Sequence, residues 1–157
     1  MEKQKNNSDR PSQYRRWQWA LILLLALVNT TTACYPHDEA PIPEVYVDSY
    51  LDLLDPYYNA TSFEATYDYE GNLIGNGGIV VYYDGYEYYA FDRMCPYENS
   101  TSCLVYNMGD GTAICPDCHS VYLIASPSCS VISGPSPWSL KRYNTRVVKD
   151  DFLHIYN

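Results

Sequence analysis

Two Asp-Gly pairs constrain this chain more than any other feature. Asp84-Gly85 stands between short apolar-rich runs at 79–83 and 87–91, and Asp110-Gly111 between runs at 104–107 and 112–115. Asp-Gly between such runs marks a β-hairpin, because these residues tolerate the positive φ that a tight hairpin turn needs. Other segments follow the same rhythm. Over 43–50, Val45 and Val47 fall on one side and Tyr46 and Asp48 on the other, the two-residue period of a strand. Residues 51–54 read as a short strand or a turn, and 63–69 alternates up to a hairpin turn at Glu70-Gly71-Asn72. Asn76-Gly77-Gly78 is a further break. No stretch after residue 33 carries a sustained helical period. Short, evenly spaced strands of this kind predict a single all-β domain, an antiparallel sandwich or barrel.

The first 33 residues stand apart. Lys3, Lys5, Arg10, Arg15 and Arg16 precede an apolar stretch over 17–28 that only Gln18 interrupts. That is the length of a signal-peptide core, and it falls short of the ~20 apolar residues of a membrane span. Thr31-Thr32-Ala33-Cys34 resembles a bacterial lipobox, with Thr31 where leucine is usual, and makes Cys34 the expected lipidation site. An ordinary cleaved signal or a short uncleaved anchor is the alternative. The expected organisation is a leader over 1–33, a polar, proline-bearing tether over 34–43, and a β domain over 44–157. His37-Asp38-Glu39 in the tether resembles the surface-export signal of Bacteroidetes lipoproteins. The expected location is therefore the cell envelope, lipid-anchored at the outer membrane of a Gram-negative bacterium.

Charge narrows the partners. The leader holds five of the ten basic and two of the nineteen acidic residues, leaving five against seventeen and a net charge of −12 beyond it. Such a field repels phosphate backbones, so no nucleic-acid partner is expected. Eighteen tyrosines are many for this length. Tyrosine suits half-buried pleated faces, which makes a wet all-β surface the plain reading; a glycan- or peptide-binding aromatic patch is the other.

Besides Cys34 there are five cysteines: Cys95, Cys103, Cys115, Cys118 and Cys129. An odd number in an exported protein leaves a thiol unpaired, on a metal, or bridging to another chain. Three chemistries compete. Cys95, Cys103, Cys115 and Cys118 form a four-sulfur set suited to zinc or iron. The same sulfurs can form disulfides, with Cys95 or Cys103 joined to Cys115 or Cys118, in an oxidising compartment. Cys115-Pro116-Asp117-Cys118, with His119 adjacent, also has the spacing of a redox C-x-x-C, but that motif belongs at a helix N-terminus. Cys129 is then an extra disulfide partner or a free thiol. The carboxylates form no placed pair, so an enzymatic role is not favoured.

One family resemblance orders these pieces. Cys95-Pro96-Tyr97, seventeen residues, then Cys115-Pro116-Asp117-Cys118-His119-Ser120 resembles the two cluster-binding loops of Rieske iron–sulfur proteins. Ala90-Phe91-Asp92-Arg93-Met94-Cys95-Pro96 before the first loop and Ser120-Val121-Tyr122 after the second are similar to that family. So are the proline loop at 131–137 and the returning strand at 140–143. The resemblance covers 78–156, and the chain is similar to Bacteroidetes lipoproteins carrying such a domain. It implies a Rieske-like antiparallel β-sandwich or barrel with two cysteine-bearing hairpin loops. It also implies a 2Fe-2S cluster held by C-x-H and C-x-x-H. Tyr97 and Cys118 stand where the two histidines belong. An all-thiolate cluster there implies a low potential and none of the proton-coupled chemistry of imidazole ligands. The expected function is a lipid-anchored, non-enzymatic envelope module whose cysteine loops form a disulfide- or metal-clamped tip. The alternative is an electron-transfer protein with a 2Fe-2S or other iron centre. Its expected partners are the membrane, through Cys34, and an envelope redox partner or other surface protein.

Overall fold

The computed structural model describes residues 41–157; the leader, Cys34 and the tether up to residue 40 lie outside them. Twelve strands run through the described residues: β1 (Asp48–Asp52), β2 (Ser62–Ala65), β3 (Ile79–Tyr83), β4 (Tyr88–Asp92), β5 (Met94–Cys95), β6 (Ser100–Leu104), β7 (Tyr106–Asn107), β8 (Thr112–Ile114), β9 (Val121–Leu123), β10 (Val131–Ser133), β11 (Arg142–Val148) and β12 (Phe152–Tyr156). The only helical turns among these residues are two of 3-10 type, Pro56–Tyr58 and Lys149–Asp151. The expected all-β, antiparallel architecture is what forms. Six strands make one sheet in the order β1-β12-β11-β4-β3-β2, four make a second in the order β10-β9-β8-β7, and β5 pairs with β6 alone.

The large sheet curls on itself. Tyr69, in the hairpin after β2, donates its N–H to the Tyr50 carbonyl of β1 at 3.0 Å, which brings the sheet's two ends together. Inside the curl lie Leu51, Phe63, Ile74, Ile79, Val81, Leu153 and Ile155, all buried. Each large apolar side chain of this kind contributes about 1.5–3 kcal/mol relative to exposure. A second core, holding Val80, Phe91, Val105, Tyr122 and Ile124, fills the space between the outer face of β3–β4 and the small sheet. Ile79, Val80 and Val81 are all fully buried because β3 is covered on both faces, so its apolar run does not alternate.

Both Asp-Gly hairpins form, each with its glycine at positive φ: Gly85 at +99° and Gly111 at +87°. The turn at Glu70-Gly71-Asn72 also forms, closed by an isolated pairing of Tyr67 with Leu73. The first strand is shifted, however. It begins at Asp48 rather than near Pro43 and takes in Leu51, because its partner β12 ends at Tyr156, opposite Asp48. Val47 is buried in the core but pairs only with Asn157, whose Oδ1 accepts the Val47 N–H at 3.1 Å. The last expected tether residues rest on the domain. Ile42 is buried, and the Pro43 carbonyl accepts from Asn76 Nδ2 at 3.1 Å and Lys141 Nζ at 3.2 Å.

Buried polar groups fasten the approach to the first cysteine loop. Asp92 is fully buried, with Oδ1 accepting from the Met94 N–H at 2.8 Å. Its Oδ2 accepts from the Asn76 N–H and Nδ2, both at 2.9 Å, and from the Tyr143 hydroxyl at 2.6 Å. Next along, Arg93 pairs with Glu64 of β2 at 2.9 Å and donates through Nε to the Val105 carbonyl at 3.1 Å. A charged pair at this depth requires its hydrogen bonds to be complete, and here it joins the large sheet to the cysteine-bearing end.

Candidate metal centre

Two loops of the same construction converge at that end. Cys95-Pro96-Tyr97-Glu98-Asn99 connects β5 to β6, and Cys115-Pro116-Asp117-Cys118-His119 connects β8 to β9. In each, the fifth residue returns its N–H to the carbonyl of the first cysteine: Asn99 to Cys95 at 2.9 Å and His119 to Cys115 at 3.0 Å. That fifth residue is left-handed in both, with φ +46° at Asn99 and +59° at His119. The backbone N–H groups of Tyr97 and Glu98 favour the thiolate of Cys95, and those of Asp117 and Cys118 favour that of Cys115. Paired N–H donors of this kind stabilise a thiolate.

The four sulfurs of the expected set are brought together. Sγ of Cys95, Cys103 and Cys115 all lie within 4.8 Å of one another, and all three residues are buried. Cys103 and Cys115 stand 3.3 Å apart. Cys118, half-buried, stands outside the trio but 3.7 Å from Cys95. Cys129 is buried in the same core, away from the trio, at φ +45°.

Electrostatics separates the thiols. Burial pushes Cys95 up to about 11 against the pull of the Tyr122 hydroxyl and the two N–H groups. Burial, Asp117 and Cys115 push Cys103 far above its ordinary value. Burial acts on Cys115 in the same sense, but the N–H groups of Cys118 and Asp117, together with the neighbouring thiols of Cys103 and Cys95, hold it below. Cys115 is thus the thiol of this centre that the protein itself favours as an anion.

The donor set fits one kind of centre and not another. Four thiolates on one tetrahedral ion, at a metal–sulfur length of ~2.3 Å, lie about 3.8 Å apart. The 3.3 Å and 3.7 Å separations are near that distance and longer than the ~2.05 Å of a sulfur–sulfur bond. A histidine-ligated 2Fe-2S cluster does not fit. Tyr97 is 47% exposed, His119 points no ring nitrogen at the sulfurs in any hydrogen bond and is exposed, and His154 lies in β12. His37 falls outside the described residues. The C-x-x-C leads into strand β9 and not into a helix, so the helix N-terminus that would activate a thioredoxin-type thiol is missing there.

Several contributors carried no assigned role in the sequence. Tyr122 places its hydroxyl 3.5 Å from Cys95 Sγ, and Ser120 Oγ lies 3.2 Å from Cys118 Sγ. Ser120 Oγ also accepts the Ser136 N–H at 3.0 Å, which packs the proline loop against the second cysteine loop. Ser120-Val121-Tyr122 was visible as a motif, but its contact with the sulfurs depends on β9 running beside β8.

No family model matches this sequence, and no curated protein matches it. Among solved structures, the chain is similar to the cyanobacterial plasma membrane Rieske protein PetC3 from Synechocystis PCC 6803. The identity is 19% and the TM-score 0.46, over 73% of this chain and all of that one. It is also similar to a small subunit of an NADH-dependent nitrite reductase from Mycobacterium tuberculosis, at 13% identity and TM-score 0.43, over 73% of this chain and 97% of that one.

Proposed function

We propose that this chain is a lipid-anchored envelope protein of Rieske-like build in which two cysteine loops close on a single zinc or iron ion. The ion serves as a structural clamp. One observation carries the reading: three buried sulfurs lie within 4.8 Å of one another where two loops meet. Cys95, Cys103 and Cys115 would hold the ion, with Cys118 closing the set. Bound there, zinc supplies a cross-link alone, and iron supplies one-electron chemistry as well. The chain's own residues keep three of the sulfurs buried, lower the Cys115 thiol from its ordinary value, and tie the site to the barrel through Asp92 and Arg93. Lipidation at Cys34 rests on the leader sequence.

A second reading is favoured by the pairing of the sulfurs. Cys103 and Cys115 stand 3.3 Å apart and Cys95 and Cys118 3.7 Å, and each pair joins the β5–β6 hairpin to the second cysteine loop. In an oxidising compartment a further approach of about 1–2 Å closes both as disulfides. The occupant changes, and the clamp between the same two loops remains.

Elemental analysis with acid-labile sulfide, on full-length protein purified without oxygen, decides between them. One zinc or iron per chain without sulfide, lost on Cys103→Ser, is the expected result. Two irons and two sulfides per chain make it an electron carrier and overturn the structural clamp. A metal-free protein with four sulfurs refractory to alkylation before reduction establishes the disulfide form.

A further inference from the structure

The outer face of β11 and β12 carries a second built site, remote in sequence from the cysteine loops. His154 is buried between two rings, stacked on Tyr50 at 4.4 Å and on Tyr156 at 4.8 Å. Its two nitrogens are both engaged. Nδ1 accepts from Arg146 Nε at 3.0 Å, so Nε2 carries the proton and donates to Asp48 Oδ1 at 2.6 Å. These residues face one another across three strands, with Tyr50 opposite His154 and His154 opposite Arg146. The chain Asp48–His154–Arg146 therefore fixes one guanidinium through its Nε, and Tyr156 supports it at 5.5 Å. The two terminal nitrogens of Arg146 have no hydrogen-bond or ion-pair partner among the described residues.

Arg146 lines a cleft of about 230 Å³ together with Arg142, Asn144, Glu87 and Tyr86. Arg142 is likewise supported on a ring, that of Tyr89, at 5.4 Å. Two of the five cationic residues beyond the leader thus stand in one cleft of an acidic protein. A fixed, planar guanidinium with a free edge is suited to a planar oxyanion, which it meets through two parallel hydrogen bonds. The strongly negative field of the rest of the domain, with Glu87 in the cleft itself, favours a single negative charge over a double one. That selects a carboxylate over a phosphate monoester. Tyr86 is 92% exposed at the rim and offers an unoccupied ring face. The volume lies below the ~300–1,000 Å³ that encloses a drug-sized ligand, so the cleft takes one ring-sized unit. β11 pairs with β4 over Arg142 and Tyr143 and with β12 over Asn144 to Val148, so the cleft lies where β11 leaves β4.

We propose that this cleft binds an acidic sugar residue, with Arg146 and Arg142 on the carboxylate and Tyr86 against the sugar ring. Asp48 and His154 are positioning residues that pre-order Arg146. The test is isothermal titration of the full-length protein in detergent with a four-residue oligogalacturonate, its methyl ester, and inorganic phosphate. Saturable binding of the oligogalacturonate is expected. It should weaken about 10-fold or more on methyl esterification and in Arg146→Gln and Arg142→Gln, the loss of a charge-assisted hydrogen bond. Asp48→Asn, which does not reach the cleft, should weaken it several-fold. Arg142 is exposed, so Arg142→Gln keeps the wild-type melting temperature; Arg146→Gln removes the donor to buried His154 Nδ1 and is titrated well below its own melting transition. The proposal is overturned by no binding at millimolar ligand, by equal binding of the methyl ester, or by unchanged affinity in both arginine variants. Competition by phosphate at equal concentration would mark a general anion site and overturn the sugar assignment.

Discussion

Gly134→Ala and Gly85→Ala form a matched pair that measures how firmly the proline loop is seated on the second cysteine loop. Both glycines have φ +99°, so alanine at either position carries the backbone strain of that region, about 1–3 kcal/mol. Their surroundings differ. A Cβ at Gly85 meets nothing within 4 Å, whereas at Gly134 it falls 2.4 Å from Ser120 Cα, 2.7 Å from its Oγ and 2.8 Å from its N. Normal carbon–carbon contact begins near ~3.5 Å, so two backbones must part by about 1 Å. Overpacking of this kind costs about 1–3 kcal/mol more. Gly134→Ala should therefore destabilise by about 2–6 kcal/mol, exceeding Gly85→Ala by about 1–3. For a domain of this size the excess corresponds to roughly 3–10 °C in melting temperature. Ser120 also holds the Cys118 sulfur at 3.2 Å and the Ser136 N–H at 3.0 Å. Iodoacetamide should accordingly alkylate Cys118 faster in reduced, metal-free Gly134→Ala than in wild type, and no faster in Gly85→Ala. Equal losses of stability in the two variants would refute the reasoning, since Ser120 and the proline loop would then be free to separate.

Two further perturbations address the base of the first cysteine loop. Asp92→Ala strands the N–H groups of Met94 and Asn76 and the Tyr143 hydroxyl, and about 3 kcal/mol or more should be lost by urea denaturation, since unsatisfied buried donors cost ~1–3 kcal/mol each. Burial and the Asp92 carboxylate raise the Tyr143 phenol well above its ordinary 10. The native state therefore keeps a proton that the unfolded chain releases, and stability is full below pH 10 and falls as pH rises past it, by about 1.4 kcal/mol per pH unit for this tyrosine. Urea midpoints between pH 9 and 12 should show that fall, and Tyr143→Phe should make it shallower by that amount.

Local signals in the sequence carried the hairpins because the residues that specify a turn lie inside it. Asp84-Gly85 and Asp110-Gly111 need no distant partner to adopt positive φ. The start of β1 was not legible in the same way, since it is fixed by the end of β12 more than a hundred residues later. The cysteine set was legible as a set, and its division into a buried trio with Cys118 outside depends on how the β5–β6 and β8–β9 loops meet. His154 had no visible partner along the chain. Asp48, Tyr50 and Arg146 reach it only across strand pairings, so the most connected polar group of the outer face carried no local pattern. The tyrosines are not all surface residues: several are wet, while Tyr122 and Tyr143 are wholly buried with partners for their hydroxyls.

The two loops share Cys-Pro and the backbone turn that follows, and differ in their last three side chains; at the fourth position Glu98 stands in one and Cys118 in the other. The second loop thus supplies two sulfurs by itself. The first supplies its second sulfur from β6, which pairs with β5 through a bulge and brings the Cys103 sulfur within 4.8 Å of that of Cys95. A four-sulfur set built in this unequal way has one pair held by a five-residue turn and one held by strand pairing. Cys103, fixed in a strand and buried, belongs to the part of the site that the fold positions before any ion or bond forms. Cys118 sits in the turn, half-exposed, and among the four it is the sulfur that solvent reaches. Under the proposed clamp, Cys118 is therefore the sulfur most open to reagents in solution. The contact that orients it is the Ser120 hydroxyl, 3.2 Å away, which the proline loop holds in place.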